Sequence, residues 1–170
     1  MELNTILVTV EIPKGSRNKY EFDEELGLFK LDRMLFSSVH YPADYGFVRE
    51  AWGEDGDPLD AMVIAGEPTF TGCVIEAKPL GLFKMRDEAG IDHKILSVPV
   101  SDPQWSWMQT LDDVPKHLLL EIEHFFSIYK DLEQKKVATE GWQSREDALK
   151  VIEAAQKAFL DRSARDVKKT

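Results

Sequence analysis

Hydrophobic and polar residues alternate through the first dozen positions. Ile6, Val8, Val10 and Ile12 fall on one side of an extended chain, with Leu7, Thr9 and Glu11 between them. A period of two marks a half-buried strand, and Glu11 then points away from the Ile/Val face. The segment KYEFD, 19–23, repeats the pattern, with Tyr20 and Phe22 opposite Lys19 and Glu21. A turn-like DEELG leads into LFKLDRML, a further strand. Strands are also predicted at LDAMVIAG (59–66), TGCVIEAKPLGLFKM (71–85) and HKILSVPV (93–100). Several short strands at close spacing predict a small barrel or a strongly coiled sheet.

The period changes near residue 112. Leu118, Leu119, Ile122, Phe125, Phe126, Tyr129 and Leu132 recur at helical spacing, as on a helix with one buried face. Asp112 or Asp113 is placed to cap this helix, with Pro115 in its opening turn. A second helix is predicted from Ser144, with Asp147 three residues on in a capping-box-like start. Ala148, Ile152, Ala155 and Phe159 form its apolar stripe, and Arg162 and Arg165 lie near its end, where positive charge suits the helix dipole. The expected fold is α+β: a small β-barrel over roughly 1–111 with two main helices packed on it over roughly 112–170, in a single domain.

Composition agrees with that reading. The 170 residues suffice for one domain with a core, and 43% hydrophobic with 31% charged residues is ordinary for a globular chain. The single cysteine, Cys73, cannot form an internal disulfide, which fits a reducing compartment. Glu2 stands where a signal peptide wants positive charge, and no apolar stretch is long enough to cross a bilayer. The expectation is a soluble, cytoplasmic protein. A net charge of −10 argues against nucleic acid or an anionic membrane as the main partner. It leaves room for a small anionic substrate if a divalent metal stands between substrate and protein.

Charge density points to the chemistry. In EDGDPLDAMV, 54–63, three aspartates, Asp55, Asp57 and Asp60, fall within six residues ahead of an apolar run. Asp-Gly followed by Pro is a common polar turn. Three mutually repelling carboxylates, however, are relieved most simply by a hard cation, and both Mg²⁺ and Ca²⁺ take carboxylate oxygen. Counted from Asp55, an EF-hand would need Gly at Asp60 and Glu at Gly66, so that loop is excluded. What remains is an irregular site keeping water and substrate oxygens on the metal, as Mg²⁺ prefers. A second acidic run, Asp87, Glu88 and Asp92 with Lys94, joins two predicted strands. It is either a solvated hairpin loop or, at one barrel rim, a partner of the first cluster.

Glu11, Lys19, Glu21 and Arg33 read as a wet outer face or as a barrel mouth where Lys and Arg hold phosphate oxygens. Residues 40–46, HYPADYG, read as a packed aromatic turn, or as tyrosine hydroxyls donating to an anion. Tyr129 belongs to the apolar stripe, and Lys130 beside it is by default solvent-facing. His117, Glu121, His124 and Ile128 form another helical stripe. It lacks the HExxH order of a zinc site and suits a surface or subunit contact. Neither GxSxG nor GxxxxGK[ST] occurs.

Seven segments carry a resemblance covering about residue 5 to about residue 160: VEIPKGS, NKYEFD, LDRML, YPADYGF, EDGDPLDAMV, GLFKMRDEAGIDHK and HFFSIYKDLE. In that order they are similar to the family I soluble inorganic pyrophosphatases. The resemblance implies a highly twisted, OB-like barrel with flanking helices. It also implies hydrolysis of pyrophosphate to two phosphates with several Mg²⁺ ions and no covalent intermediate. By position, Asp55, Asp60 and Asp92 would bind the metals nearest the attacking water, and Asp87 would join Asp92 on further metal. Asp57 would orient or deprotonate the water. Lys19, Arg33, Tyr45, Tyr129 and Lys130 would grip phosphate. Glu11, Glu21, Tyr41 and Lys94 would surround them, with Glu21 reaching a metal through water. Phe47 departs from the Tyr often found there. Short bacterial and archaeal members are usually homohexamers, which makes the His117/Glu121/His124/Ile128 stripe a candidate contact. The rival readings are a metal-dependent phosphohydrolase of organic phosphates and a non-enzymatic oligonucleotide-binding barrel. The acidic balance disfavours the second.

Overall fold

The computed structural model describes residues 4–167, with side chains through Ala164. Its strands are β1 (Ile6–Ile12), β2 (Asn18–Asp23), β3 (Leu28–Met34), β4 (Asp44–Trp52), β5 (Pro58–Val63), β6 (Val74–Asp87), β7 (Gly90–Ile91), β8 (Lys94–Pro99) and β9 (Ala138–Gln143); the helices are α1 (Lys116–Ile128) and α2 (Arg145–Val167). Hydrogen-bonded neighbours run β1-β4-β5-β8-β6, and β6 pairs back with β1, so five strands close a ring. Only β5–β8 is parallel within it. The β2–β3 hairpin forms a separate two-stranded sheet, and β7 and β9 extend β6. Closure removes the exposed edges an open sheet would leave. The expected OB-like α+β barrel is therefore found.

The wall strand β8, most of β5 and the middle of β6 are buried on both faces because the two helices cover what the ring does not. Met62, Leu96, Phe83 and Met85 pack with Ile122, Phe125, Phe126 and Tyr129 around α1. Their neighbours Ala61, Val63, Ile95 and Leu82 pack with Ala148, Ile152 and Ala155 of α2. Each such large apolar side chain contributes about 1.5–3 kcal/mol on full burial.

Three strands depart from the sequence reading. The segment 44–52 is a strand, β4, and only its approach is the expected turn. Gly46 lets it in: a Cβ there would sit 1.9 Å from the Thr9 carbonyl oxygen of β1. The left-handed backbone of Glu50, φ 57°, bends β4 where its pairing with β5 shifts register. The short β7 and the polar β9 were also not predicted, and β9 returns the chain to the barrel from within the part expected to be helical.

Helix limits differ as well. Residues 111–113 form a separate 3₁₀ turn, so Asp112 and Asp113 do not cap α1, whose N-cap is Pro115. The Asp113 carboxylate instead accepts from the Gln109 and Thr110 N–H groups. Leu132 is not on the α1 stripe: α1 ends at Ile128, a 3₁₀ turn follows at Asp131–Glu133, and Leu132 is exposed. The start of α2 is as expected, with the Asp147 N–H donating to Ser144 Oγ at 3.2 Å. Arg162 stacks on the Trp52 ring at 4.1 Å. The side chain of Arg165 lies outside the described residues.

Candidate active site

The parallel register of β5 and β8 sets Asp60 beside Lys94, and Met62 beside Leu96 two residues on. Since alternate residues share a face, Asp60 and Lys94 continue the α1-facing apolar surface to the barrel rim. Tyr45 arrives there from β4 and Asp92 from the turn before β8. Lys94 is buried, with 1% of its side chain exposed, and its Nζ donates to Asp60 Oδ2 at 2.8 Å, Asp92 Oδ1 at 2.8 Å and Tyr45 Oη at 2.9 Å. Tyr45 Oη in turn donates to Asp60 Oδ2 at 2.6 Å. One buried cation thus serves two carboxylates from separate acidic runs, and the loop joining β6 to β8 meets the β5 cluster.

Electrostatics record the imbalance. Burial pushes Asp92 up to about 6, with Lys94 opposing and Asp60 adding to the rise. Burial also pushes Glu11 up to about 7, against a bond from the Phe22 N–H and the nearby Lys19, with Asp60 and Glu21 adding to the rise. Asp55 is raised by burial and then by Asp57 and Asp92. Lys94 is held above its usual range because Asp60 and Asp92 outweigh the burial that opposes its charge. The Asp60–Glu11 and Asp60–Asp92 couplings bring β1, β5 and the β8 turn into one field.

The DGD loop is short and pinned at its base. Trp52 pairs with Pro58, and the Gly53 N–H donates to Asp57 O at 2.7 Å. Gly56, at φ 89°, makes the turn a side chain would strain. Asp55 and Asp57 are exposed at its tip, where the Asp57 N–H donates to Asp55 Oδ1 at 3.1 Å. Asp55, Asp60 and Asp92 also border a cleft of about 260 Å³ against α2, walled by Trp52, His93, Val151 and Ala155.

A ring of cations completes the rim. Lys130 Nζ donates to Asp87 Oδ2 at 2.9 Å and lies 3.6 Å from Glu88. Lys19 pairs with Glu21, and its Nζ also lies 3.4 Å from Asp32. Arg33 pairs with Asp32 and with Glu133. Tyr41 and Tyr129 are buried, their rings flanking Phe125 at 4.8 and 5.4 Å.

The expected residues therefore gather at one end of the barrel, with qualifications of role. Lys130 is buried rather than solvent-facing. The Tyr45 hydroxyl bonds Asp60 and Lys94. Lys94, expected in the surroundings, is the hub. Asp32 and Glu133 received no role from the sequence. Their only signals there are adjacency to Arg33 and a place three residues after Lys130.

Among the described residues, no three acidic, His or Cys side chains are drawn together closely enough to hold an ion as they stand. The chemistry of the donor set nevertheless fits a hard divalent cation. Asp55, Asp60, Asp87 and Asp92 offer only carboxylate oxygens, the ligands Mg²⁺ selects. Two of the local carboxylates, Asp92 and Glu11, are raised by burial that a cation would offset.

Comparison with known proteins agrees with the geometry. The inorganic pyrophosphatase family model matches residues 8–160. The chain is 52% identical over 156 residues to an inorganic pyrophosphatase of Methanosarcina acetivorans, covering 92% of this chain and 93% of that protein. It is 54% identical over 155 residues to one from Streptomyces coelicolor, covering 91% and 95%. The structure of an inorganic pyrophosphatase from Thermus thermophilus superposes with a TM-score of 0.90 at 40% identity, over 93% of this chain and 92% of that one. A closed five-stranded barrel, a rim of interleaved carboxylates and cations, and these likenesses lead to one assignment: the chain belongs to the family I inorganic pyrophosphatases.

Proposed function

We propose that this chain hydrolyses pyrophosphate to two orthophosphates by Mg²⁺-dependent attack of water, with no covalent enzyme intermediate. The carrying observation is the convergence of Asp60 and Asp92 on Lys94, with Asp87 on Lys130 and with Arg33 and Lys19 sharing Asp32 nearby. Asp55, Asp60, Asp87 and Asp92 would hold the magnesium. Bound there, magnesium supplies Lewis acidity, making water more acidic and screening the charge on phosphate.

The protein's own groups would do the rest. Asp57, exposed at the loop tip, takes the proton of the attacking water. Lys130, Arg33 and Lys19 exchange their carboxylate partners for phosphate oxygens and neutralise the departing phosphate. Tyr129 borders that phosphate, and Tyr45 orients Asp60. Lys94 holds Asp60 and Asp92 aimed, with Glu11, Glu21 and Tyr41 around them. Phosphoryl transfer asks mainly for positioning and charge stabilisation, which these groups provide. Removing the product of pyrophosphate-releasing biosynthesis would draw those reactions forward, and the lone cysteine suits a cytoplasmic setting.

The test is phosphate release from pyrophosphate and, separately, from ATP, with magnesium and after chelation. Release from pyrophosphate that stops on chelation and returns with magnesium is expected. Full release without metal, or preference for ATP, refutes the reading.

A further inference from the structure

The 3₁₀ turn after α1 has charged residues at both ends, the N-cap Lys130 and Glu133, with different partners. Lys130 and Glu133 are three residues apart, and such residues eclipse on a 3₁₀ turn. The Glu133 N–H donates to Lys130 O at 3.0 Å, and Gln134 closes the turn in a left-handed conformation, φ 57°. Lys130 reaches Asp87 at the end of β6. Glu133 reaches across to β3, where Arg33 Nη2 donates to its Oε2 at 3.1 Å and Nε lies 2.9 Å from its Oε1. Only 5% of the Glu133 side chain is exposed, against 21% of Arg33.

The remaining donors of Arg33 are thereby aimed. Glu133 accepts from Nη2 and lies beside Nε without a hydrogen bond to it, and Nη1 is turned to Asp32 Oδ2. That same oxygen lies 3.4 Å from Lys19 Nζ. An anionic oxygen is thus held between Arg33 and Lys19, as a phosphate oxygen would be. We propose that Glu133 is the positioning residue of this site: it fixes which edge of Arg33 meets phosphate and ties that edge to the turn bearing Lys130.

The inference deepens the proposed pyrophosphate hydrolysis and rests on it. A paired guanidinium edge is pre-oriented, so less freedom is lost when phosphate binds. Without Glu133 the side chain is free to rotate between Asp32 and solvent.

A double-mutant cycle tests this with Glu133→Gln, Arg33→Ala and the combined variant. The readouts are kcat/KM on pyrophosphate and the affinity for inorganic phosphate measured calorimetrically. Glu133→Gln is expected to lower both by about tenfold in the native background and by less than about twofold once Arg33 is gone. Glu133→Asp, keeping the charge on a shorter arm, should fall between, and carries the same cycle if the Gln variant does not fold. Equal losses in both backgrounds, or no loss at all, overturn the assignment. A native protein that binds phosphate without hydrolysing pyrophosphate would sink the proposed reaction, while the cycle on phosphate affinity would still judge Glu133.

Discussion

At the scale of single residues, one end of this barrel is a matter of who neutralises whom. Lys94 gives its charge to Asp60 and Asp92 together, and breaking such a buried pair from one side costs about 3–5 kcal/mol. Asp57 stands apart from that network at the exposed loop tip. Its side chain is therefore free to work as a base without holding the fold. Asp57→Asn should leave the melting temperature nearly unchanged while lowering kcat by about a hundredfold or more, the scale of lost acid–base catalysis. Near-native turnover in that variant would remove Asp57 from the proton-transfer role.

At the scale of elements, α1 does two jobs with adjacent residues. Phe125 and Phe126 plug the barrel face, and the turn that follows delivers Tyr129, Lys130 and Glu133 to the rim. Phe126 touches both tasks, its ring lying 5.8 Å from Phe83, 6.0 Å from Tyr45 and 5.1 Å from Lys94 Nζ. Phe126→Ala should destabilise the fold by about 3–5 kcal/mol, the usual cost of emptying an aromatic core site. Urea unfolding checks it; a change under about 1 kcal/mol would mean that the site collapses without penalty.

At the scale of the whole molecule, closure of the ring decides where the site lies, and the outer face of α1 is open to solvent in the single chain. His117 and Glu121, 3.3 Å apart, His124 and the exposed Leu120 share that face. We propose a homohexamer that uses it. Leu120→Glu, altering a side chain already in water in the single chain, should lower the sedimentation mass and leave the monomer folded. An unchanged mass, or a native protein that never exceeds one chain, would exclude this contact.

The linear chain by itself determined the alternating strands, the two amphipathic helices and the aspartate clusters, since each is a local pattern of period or charge. The Ser144–Asp147 start of α2 and the flanks of β5 were legible for that reason. Only the tertiary structure decided the rest. The strand β4 was hidden because Gly46 and Glu50 are poor strand formers, excused by the close approach of β1 and a bend in pairing. The register that sets Asp60 against Lys94, and the reach of Glu133 to Arg33 across a hundred positions, follow from ring closure. A contact between distant residues leaves no periodic trace, because it is made by packing and not by neighbours in the chain.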